Sequence, residues 1–256
     1  MTRLTRNPAA LLAVLLTVVA QLPAAAAEPS PGGRGMQAEI QIGLCAPTDK
    51  IVQALDLRRR GAPITVWQFD DPALTLFGRG LRLRLRVAAD GRSVFTLKMA
   101  DQDCAQLDAR LVPEREGKCE YDIYGTGRTG AVSLNVSLGA KSTNDLLGGR
   151  VTPAQVLSPA QIRYLREVVG IWPLPPGTRA LGPMHVQTYR TKGKLYDLEV
   201  SQLRGGEQYA EISRKVPLDE ATRTMGVMQA ELSRAGVEVC ADQSSQAETK
   251  LRSLLR

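Results

Sequence analysis

Histidine and aromatic residues are scarce in this sequence of 256 residues. There is one histidine, His185, and phenylalanine, tryptophan and tyrosine together make up 4% of the chain. A single imidazole excludes a histidine-rich metal centre, and we interpret His185 as a structural or surface residue rather than a general base. With so few rings to stack on bases, the net charge of +7 is weak support for nucleic-acid binding, and we expect no nucleic-acid partner.

Several common catalytic motifs are also missing. The four cysteines include no CxxC pair, which argues against a zinc site. No glycine-rich phosphate loop leads into a helix, and no Ser/His/Asp or Cys/His arrangement of a nucleophile and a base is evident. The chemistry of this chain must therefore be sought in its other charged residues.

Long hydrophobic runs are absent except near the N-terminus. Arg3 and Arg6 precede an apolar run over residues 9–19, and small residues follow up to Ala27, which is the layout of a secretory signal peptide. The run is too short to be a convincing membrane span, and no later segment comes near the required length. We predict a signal peptide at 1–27, a flexible linker at 28–36 and one domain at 37–256, in a secreted or periplasmic protein.

The four cysteines all lie in the part of the chain that would be exported. An even number in an oxidising compartment favours two disulfides, and four cysteines allow three pairings. Cys104 and Cys119 flank a charged loop between two predicted strands, so we favour this pair. Cys45 and Cys240 would then tie the first strand to the C-terminal region. A metal site is the less favoured alternative.

Arginines at every second position mark residues 81–87. Arg82, Arg84 and Arg86 alternate with Leu81, Leu83, Leu85 and Val87, and period-two alternation is typical of a β-strand. One face of this strand carries three positive charges about 6.5–7 Å apart, a spacing that suits a chain of phosphates. The alternative is that the aliphatic face packs in a core while the arginines meet water on an exposed sheet.

Turn signals and alternation predict an α+β chain dominated by antiparallel sheet. Asp90-Gly91 indicates a hairpin turn, and Ser158-Pro159 with Gln161 is a capping box that opens a helix ending at Gly170. The predicted strands are 37–45, 64–70, 81–87, 93–99, 118–124, 131–138, 184–190, 194–202 and 208–216. The predicted helices cover 48–59, 159–169, the segment from Pro217 to Gly236, and a final helix that begins near Ser245.

Acidic residues recur on the predicted strands with the same two-residue spacing. They comprise two pairs and two single residues, namely Glu120 with Asp122, Asp197 with Glu199, Glu39 and Glu211. In a closed barrel alternate residues line the interior, where enclosed arginines need anionic partners. A solvated outer face is the alternative for any one pair, but recurrence on several strands favours the interior.

Segments spread over most of the chain resemble the CYTH superfamily, also called triphosphate tunnel metalloenzymes. The resemblance rests mainly on their order, because each motif alone is weak. These segments are 39–44, 69–72, the arginines of 82–86, 95–98, 120–122, 182–183, Arg190, 197–199 and 209–213. The resemblance implies a closed eight-stranded antiparallel barrel that encloses a charged tunnel, and hydrolysis or cyclisation of triphosphate compounds with Mg²⁺ or Mn²⁺.

Under this resemblance the basic residues would bind the anion and the acidic residues would hold the metal. The anion set is Arg82, Arg84, Arg86, Lys98 and Arg190, and the metal set is Glu39, Glu120, Asp122, Asp197, Glu199 and Glu211. The chain departs from the family pattern at Gln41 and Gly43, where the opening Glu-x-Glu-x-Lys motif expects an acid and a lysine, and at Ser213, where an acid is expected. Anion binding is therefore better preserved than metal catalysis.

We therefore expect a secreted barrel that binds a triphosphate-like, polyphosphate or other phosphorylated anion, with at most weak metal-dependent phosphohydrolase activity. No catalytic residue can be assigned. One alternative is a non-catalytic structural or interaction module of the cell envelope, in which the interior charges pair with one another. Another is a β-sandwich with its arginines exposed. The oligomeric state is not indicated by any sequence feature.

Overall fold

The computed structural model describes residues 35–193, 195–203, 205–243 and 247–255, which include ten β-strands. Alternating side-chain burial is clearest in β1, where every second residue is buried, and in the first five residues of β4. The strands are β1 (Gln37–Leu44), β2 (Leu57–Arg59), β3 (Ile64–Asp70), β4 (Leu81–Val87), β5 (Ser93–Met99), β6 (Gly117–Tyr124), β7 (Gly127–Leu138), β8 (Arg179–Thr191), β9 (Asp197–Gln202) and β10 (Gln208–Pro217).

Six α-helices connect or flank these strands within the described ranges. They are α1 (Thr48–Ala54), α2 (Ala140–Leu147), α3 (Pro153–Val156), α4 (Pro159–Tyr164), α5 (Ala221–Arg234) and α6 (Ala247–Ser253). A π-helical segment, Leu165–Val169, continues α4 and ends at Gly170, whose φ of 68° is in the left-handed region. The capping box predicted at Ser158 and Gln161 is present at the start of α4.

Nine of the strands form a closed barrel. The order around it is β8, β3, β4, β5, β7, β6, β1, β10 and β9, and pairing between β9 and β8 completes the ring. All neighbours are antiparallel except β1 and β6, which are parallel. The short strand β2 pairs only with the C-terminal end of β8. The chain thus has a mixed barrel with one additional strand.

The predicted α+β class and closed barrel are confirmed, but two details were wrong. The barrel has nine strands rather than eight, and it is not entirely antiparallel. Hairpin signals such as Asp90-Gly91 specify only strands that follow each other in the chain. The parallel pairing places Glu39 opposite Asp122, about 80 residues away, and side-chain alternation alone does not identify a distant partner.

The predicted helix at 48–59 is also corrected. Helix α1 ends at Ala54, and Asp56 adopts a left-handed φ of 45° before β2 begins at Leu57. This backbone reversal interrupts the helix because left-handed conformations cannot continue a right-handed one. The short helices α2 and α3 were not predicted, since each carries too few turns to show clear periodicity.

The aliphatic face of β4 lies on the outside of the barrel, where helices cover it. Leu81, Leu83 and Leu85 are each 0% exposed. They pack in one cluster with Phe95 of β5 and with Tyr164 of α4. The leucines therefore do not fill the barrel interior, and the alternating residues of the same strand face the other way.

A second outer core covers the opposite side of the barrel. Ile40 and Ile42 of β1 pack in one cluster with Met225, Met228 and Leu232 of α5. Because both helical layers bury apolar residues on the outer surface of the barrel, the inner surface is left free for polar side chains.

Both predicted disulfides are confirmed. Cys104 bonds Cys119, across the charged loop before β6, and Cys45 bonds Cys240. The second bond joins the end of β1 to a segment that also pairs with it, because Leu44 forms a β-bridge with Val239. No free cysteine remains, so the metal-site alternative for these residues is excluded.

Some predictions lie outside the described residues. They are the signal peptide at 1–27, residues 28–34 of the linker, the start of the predicted strand at Lys194 and the start of the last helix near Ser245. Over the described ranges, a search for helices with the length and apolar character of a membrane span finds none.

Because β4 directs its leucines into the outer hydrophobic core, we expect them to contribute to the free energy of unfolding. Leu83→Ala should lower the free energy of unfolding by about 2–5 kcal/mol, because it leaves a cavity beneath the helical layer. Val227→Ala on α5, where Val227 is 44% exposed, is the control and should change stability by less than about 0.5 kcal/mol. Urea unfolding monitored by circular dichroism measures both. Equal effects would show that Leu83 is not part of a packed core.

Candidate anion-binding tunnel

The three arginines of β4 point into the barrel. Arg82, Arg84 and Arg86 line a cavity of about 970 Å³, and residues of the other eight barrel strands line it as well. In register with Arg84 are Thr96 on β5 and Gln68 on β3, which face the same cavity. The alternative of an exposed arginine face is therefore excluded. We call this cavity the tunnel.

The other two predicted basic residues differ in their placement. Lys98 lines the tunnel, and its Nζ donates to Asp122 Oδ2 at 2.5 Å. Arg190 is not among the tunnel-lining residues. Its guanidinium donates to both carboxylate oxygens of Asp197 at 2.5 and 2.6 Å. Arg190 thus neutralises an acidic residue at the tunnel wall rather than facing the tunnel itself.

All six predicted acidic residues line the tunnel, and five of them form ion pairs. Each pairing joins a carboxylate to a basic side chain of the same chain, so these acids are already compensated. The pairs are Glu39 with Lys215 at 3.7 Å, Glu120 with Lys215 at 2.9 Å and also with Lys118, Asp122 with Lys98, Asp197 with Arg190, and Glu199 with Arg86 at 3.7 Å.

Arg82 and Arg84 form no ion pair with any described carboxylate, although both are surrounded by protein. Burial lowers the pKa of Arg84 to about 9, and the neighbouring charge of Arg86 acts in the same direction. Burial likewise lowers the pKa of Arg82. The Nε atoms of Arg84 and Arg86 are buried without a hydrogen-bond partner. Acidic residues of the tunnel attract both guanidinium groups without forming ion pairs with them. Because buried charge that is only partly compensated is unfavourable, this wall of the tunnel is suited to an anion.

Glu211 is the one predicted acid without an ion pair among the described residues. Burial raises its pKa to about 6, and the nearby charges of Glu199 and Glu39 act in the same direction, whereas Lys250 opposes them. Its carboxyl group therefore changes charge close to neutral pH.

Asp70 fixes the loop that leads into β4. Its carboxylate accepts hydrogen bonds from the backbone N–H groups of Asp71, Leu76 and Phe77 at 2.8–3.0 Å. Burial raises the pKa of Asp70, and the three hydrogen bonds partly offset this effect. The Asp70-Asp71 segment of the resemblance thus positions the start of the arginine strand and does not line the tunnel.

Helix α6 forms part of the tunnel wall near one end of the barrel. Leu251 of α6 packs with Leu74, which follows β3, and with Leu181, which lies near the start of β8. Leu254, just after the helix, packs in the same cluster. Both leucines line the tunnel, as does Lys250. The apolar side of α6 therefore lies across the end of the barrel where β3 ends and β4 and β8 begin.

Several basic residues that line the tunnel were not predicted from the sequence, including Arg60, Arg115, Lys118 and Lys215. The last two matter most for the charges of the tunnel. Both line the cavity, and both contact Glu120. The signal was present in the two-residue spacing, because Lys118 precedes Glu120 and Asp122 on one face of β6. Lys215 similarly follows Glu211 on one face of β10.

The tunnel residues do not fit a divalent metal centre. Within the described part of the chain, no group of three or more His, Cys, Asp or Glu side chains is arranged to hold a metal ion. Gln41 and Ser213, where the resemblance implies carboxylates, are partners in register on β1 and β10. Two implied acids are therefore replaced by neutral groups at the same place, and most of the remaining acids are paired with lysine or arginine.

Glu211 predicts a pH dependence of stability. The pKa of its carboxyl group is raised to about 6 in the folded state. The stability that the protonated group contributes is therefore fully present below about pH 4.5 and is lost as the pH rises through 6. Glu211→Gln removes this loss, so the free energy of unfolding of the variant relative to wild type should rise by about 2 kcal/mol between pH 4.5 and 7.5. Urea unfolding at both pH values measures it, and Glu207→Gln controls for the removal of one negative charge. A constant difference would contradict this prediction.

Comparisons with known proteins support the fold. No family model matches the sequence, and no curated protein matches it. A Hippeastrum protein studied as an adenylyl cyclase, for which a dominant triphosphatase activity is described, has a similar structure with a TM-score of 0.58 and 18% identity, over 84% of this chain and 94% of that one. A Bacillus halodurans protein described as an adenylate cyclase gives a TM-score of 0.56 and 14% identity, over 84% and 98%. The order of the segments, the closed barrel with its charged interior and these structural similarities together show that this chain has the fold of the CYTH superfamily.

Proposed function

We propose that the tunnel binds a small phosphorylated anion, of which a linear triphosphate is the best-fitting example. The observation that carries this proposal is the row of three arginines on one wall, two of which form no ion pair with a described carboxylate. Guanidinium groups donate several hydrogen bonds in one plane and suit phosphate oxygens. The triphosphatase activity described for the similar Hippeastrum protein is consistent with such a ligand.

Binding without efficient turnover is the expected outcome. The acidic residues do not form a metal centre, so no step of metal-assisted hydrolysis is assigned to them. In a phosphate-release assay with tripolyphosphate and Mn²⁺, wild type and Glu39→Ala should be equally inactive. Metal-dependent release by wild type that Glu39→Ala abolishes would show that the chain is a phosphohydrolase.

We propose that the protein is located outside the cytoplasm. Both disulfides close without leaving a free cysteine, and such bonds persist in oxidising compartments. The N-terminal sequence with the layout of a signal peptide supports the same location. A secreted or periplasmic protein would meet free phosphorylated compounds or anionic polymers there.

A non-catalytic structural module of the cell envelope is a second candidate. The observation that favours it is the extensive pairing of tunnel charges, because five acids already have basic partners. Under this alternative no ligand is needed, and the protein would not be stabilised by phosphate compounds. Tripolyphosphate at about 100 times its dissociation constant should instead add about 2.7 kcal/mol to the stability of a protein that binds it.

The proposal predicts that Arg84 is essential for anion binding. Arg84→Gln should weaken tripolyphosphate binding about 10- to 100-fold, because charge-assisted hydrogen bonds to the anion are lost. Isothermal titration calorimetry at low salt measures the affinity, since screening weakens such contacts. The variant should melt no lower than wild type, because it removes a buried charge that has no ion pair with the described carboxylates.

Arg92→Gln is the matched control for this experiment. Arg92 lies in the turn between β4 and β5, its side chain is 85% exposed, and it pairs with Asp90. Its variant should bind tripolyphosphate with wild-type affinity. Equal affinities for all three proteins would place the ligand outside the tunnel, and no binding by wild type at low salt would favour the structural module.

A further inference from the structure

Lys215 occupies a position between acidic residues from two different strands. Its Nζ lies 2.9 Å from both carboxylate oxygens of Glu120 on β6 and 3.7 Å from Glu39 Oε2 on β1. Lys118 also donates to Glu120. The ammonium group of Lys215 thus lies beside two carboxylates on one wall of the tunnel. Carboxylate oxygens surround a bound divalent cation in a similar way.

Glu120 and Lys215 favour each other's charged form. Burial alone would raise the pKa of Glu120, but the hydrogen bonds from Lys118 and Lys215 outweigh it and hold that pKa below its usual value. Burial alone would lower the pKa of Lys215, but Glu39 and Glu120 keep it above its usual value. Both carboxylate oxygens of Glu120 therefore accept hydrogen bonds from ammonium groups, which leaves neither oxygen as an unoccupied ligand.

The neighbouring tunnel residues offer few substitute ligands, because Glu211 on β10 is the one predicted acid among them that forms no ion pair with a described residue. Asp122, which is in register with Glu39, is bonded to Lys98. Gln41 and Ser213 stand opposite each other as neutral groups. A divalent ion at this wall would have to displace the ammonium group of Lys215. It would then find the carboxylates of Glu39 and Glu120, and that of Glu211 farther along β10, whereas hard cations prefer to be surrounded by more oxygen ligands.

We propose that Lys215 takes the place of a divalent cation on this wall, so that the tunnel offers its anionic ligand only positive charges that belong to the protein. This inference goes beyond anion binding itself, because it makes binding independent of metal. The part that concerns the ligand rests on the proposed function. The part that concerns Lys215 and its two carboxylates does not, and it can be tested without any phosphate compound.

The first test measures tripolyphosphate binding to wild type by calorimetry, in buffer with EDTA and in buffer with excess MnCl₂. We expect full affinity with EDTA. With Mn²⁺ the apparent affinity should be unchanged or weaker, because the metal complexes the free polyphosphate and the tunnel gains nothing from it. Binding that is tenfold or more tighter with Mn²⁺ would overturn the proposal. This test needs no variant.

The second test titrates MnCl₂ alone into the protein. Lys118→Gln combined with Lys215→Gln should bind Mn²⁺ at least tenfold more tightly than wild type, because it frees Glu39 and Glu120 while keeping polar side chains of similar length. Lys141→Gln is the matched control. Lys141 is 92% exposed, pairs with Asp145 on α2 and should leave Mn²⁺ binding at the wild-type level.

The outcomes of the two tests are distinguishable. If the double variant has the circular dichroism spectrum of wild type and binds Mn²⁺ no better than wild type does, Lys215 does not stand in a cation position and the proposal is wrong. Lys215→Gln alone provides the same comparison should the double variant fail to fold. If wild type binds no tripolyphosphate under any condition, the proposed function fails, while the Mn²⁺ titration still decides the role of Lys215.

Discussion

Positive charge enclosed by a closed β-barrel is the constraint on which the rest of this structure depends. Strand β4 buries Leu83 beneath helices on its outer face and directs Arg84 into the interior on the other. Neither face can be exchanged for the other, because a shift of one residue would place leucines in the tunnel and guanidinium groups in the hydrophobic layer. The interior must then supply negative charge, either from the protein or from a ligand.

The topology of the barrel decides how much of that charge the protein supplies. Parallel pairing of β1 with β6 brings Glu39 beside Asp122, and antiparallel pairing of β1 with β10 brings it opposite Lys215. Most acids and bases on this side of the barrel are therefore close enough to neutralise one another, and Glu211 is the exception among the predicted tunnel acids. Arg82 and Arg84 lie on the other side and form no ion pair with a described carboxylate, so one wall of the tunnel is largely compensated and the other is more cationic. An anion is attracted to the second.

Much of this arrangement can be predicted from local patterns in the sequence. The alternation around Arg84, the hairpin signal at Asp90 and the loop between Cys104 and Cys119 are each readable over a few residues, and all three were predicted correctly. The parallel pair and the strand that begins at Leu57 depend on contacts far apart in the chain, which no local pattern encodes. The local spacing of β10 does place Lys215 on the same face as Glu211, but its two acidic partners come from other strands and no local pattern identifies them.

The pairing of tunnel charges also explains how the chain can keep the barrel fold without keeping a metal centre inside it. A barrel tolerates Gln41 and Ser213 opposite each other, since both are polar and fill the same interior positions. A metal centre does not tolerate them, because its affinity depends on several carboxylates acting on one ion. The arginine wall is independent of those positions. Anion binding can therefore persist in a tunnel whose acidic residues have become partners of its own lysines, and the shape of the barrel gives no sign of the difference.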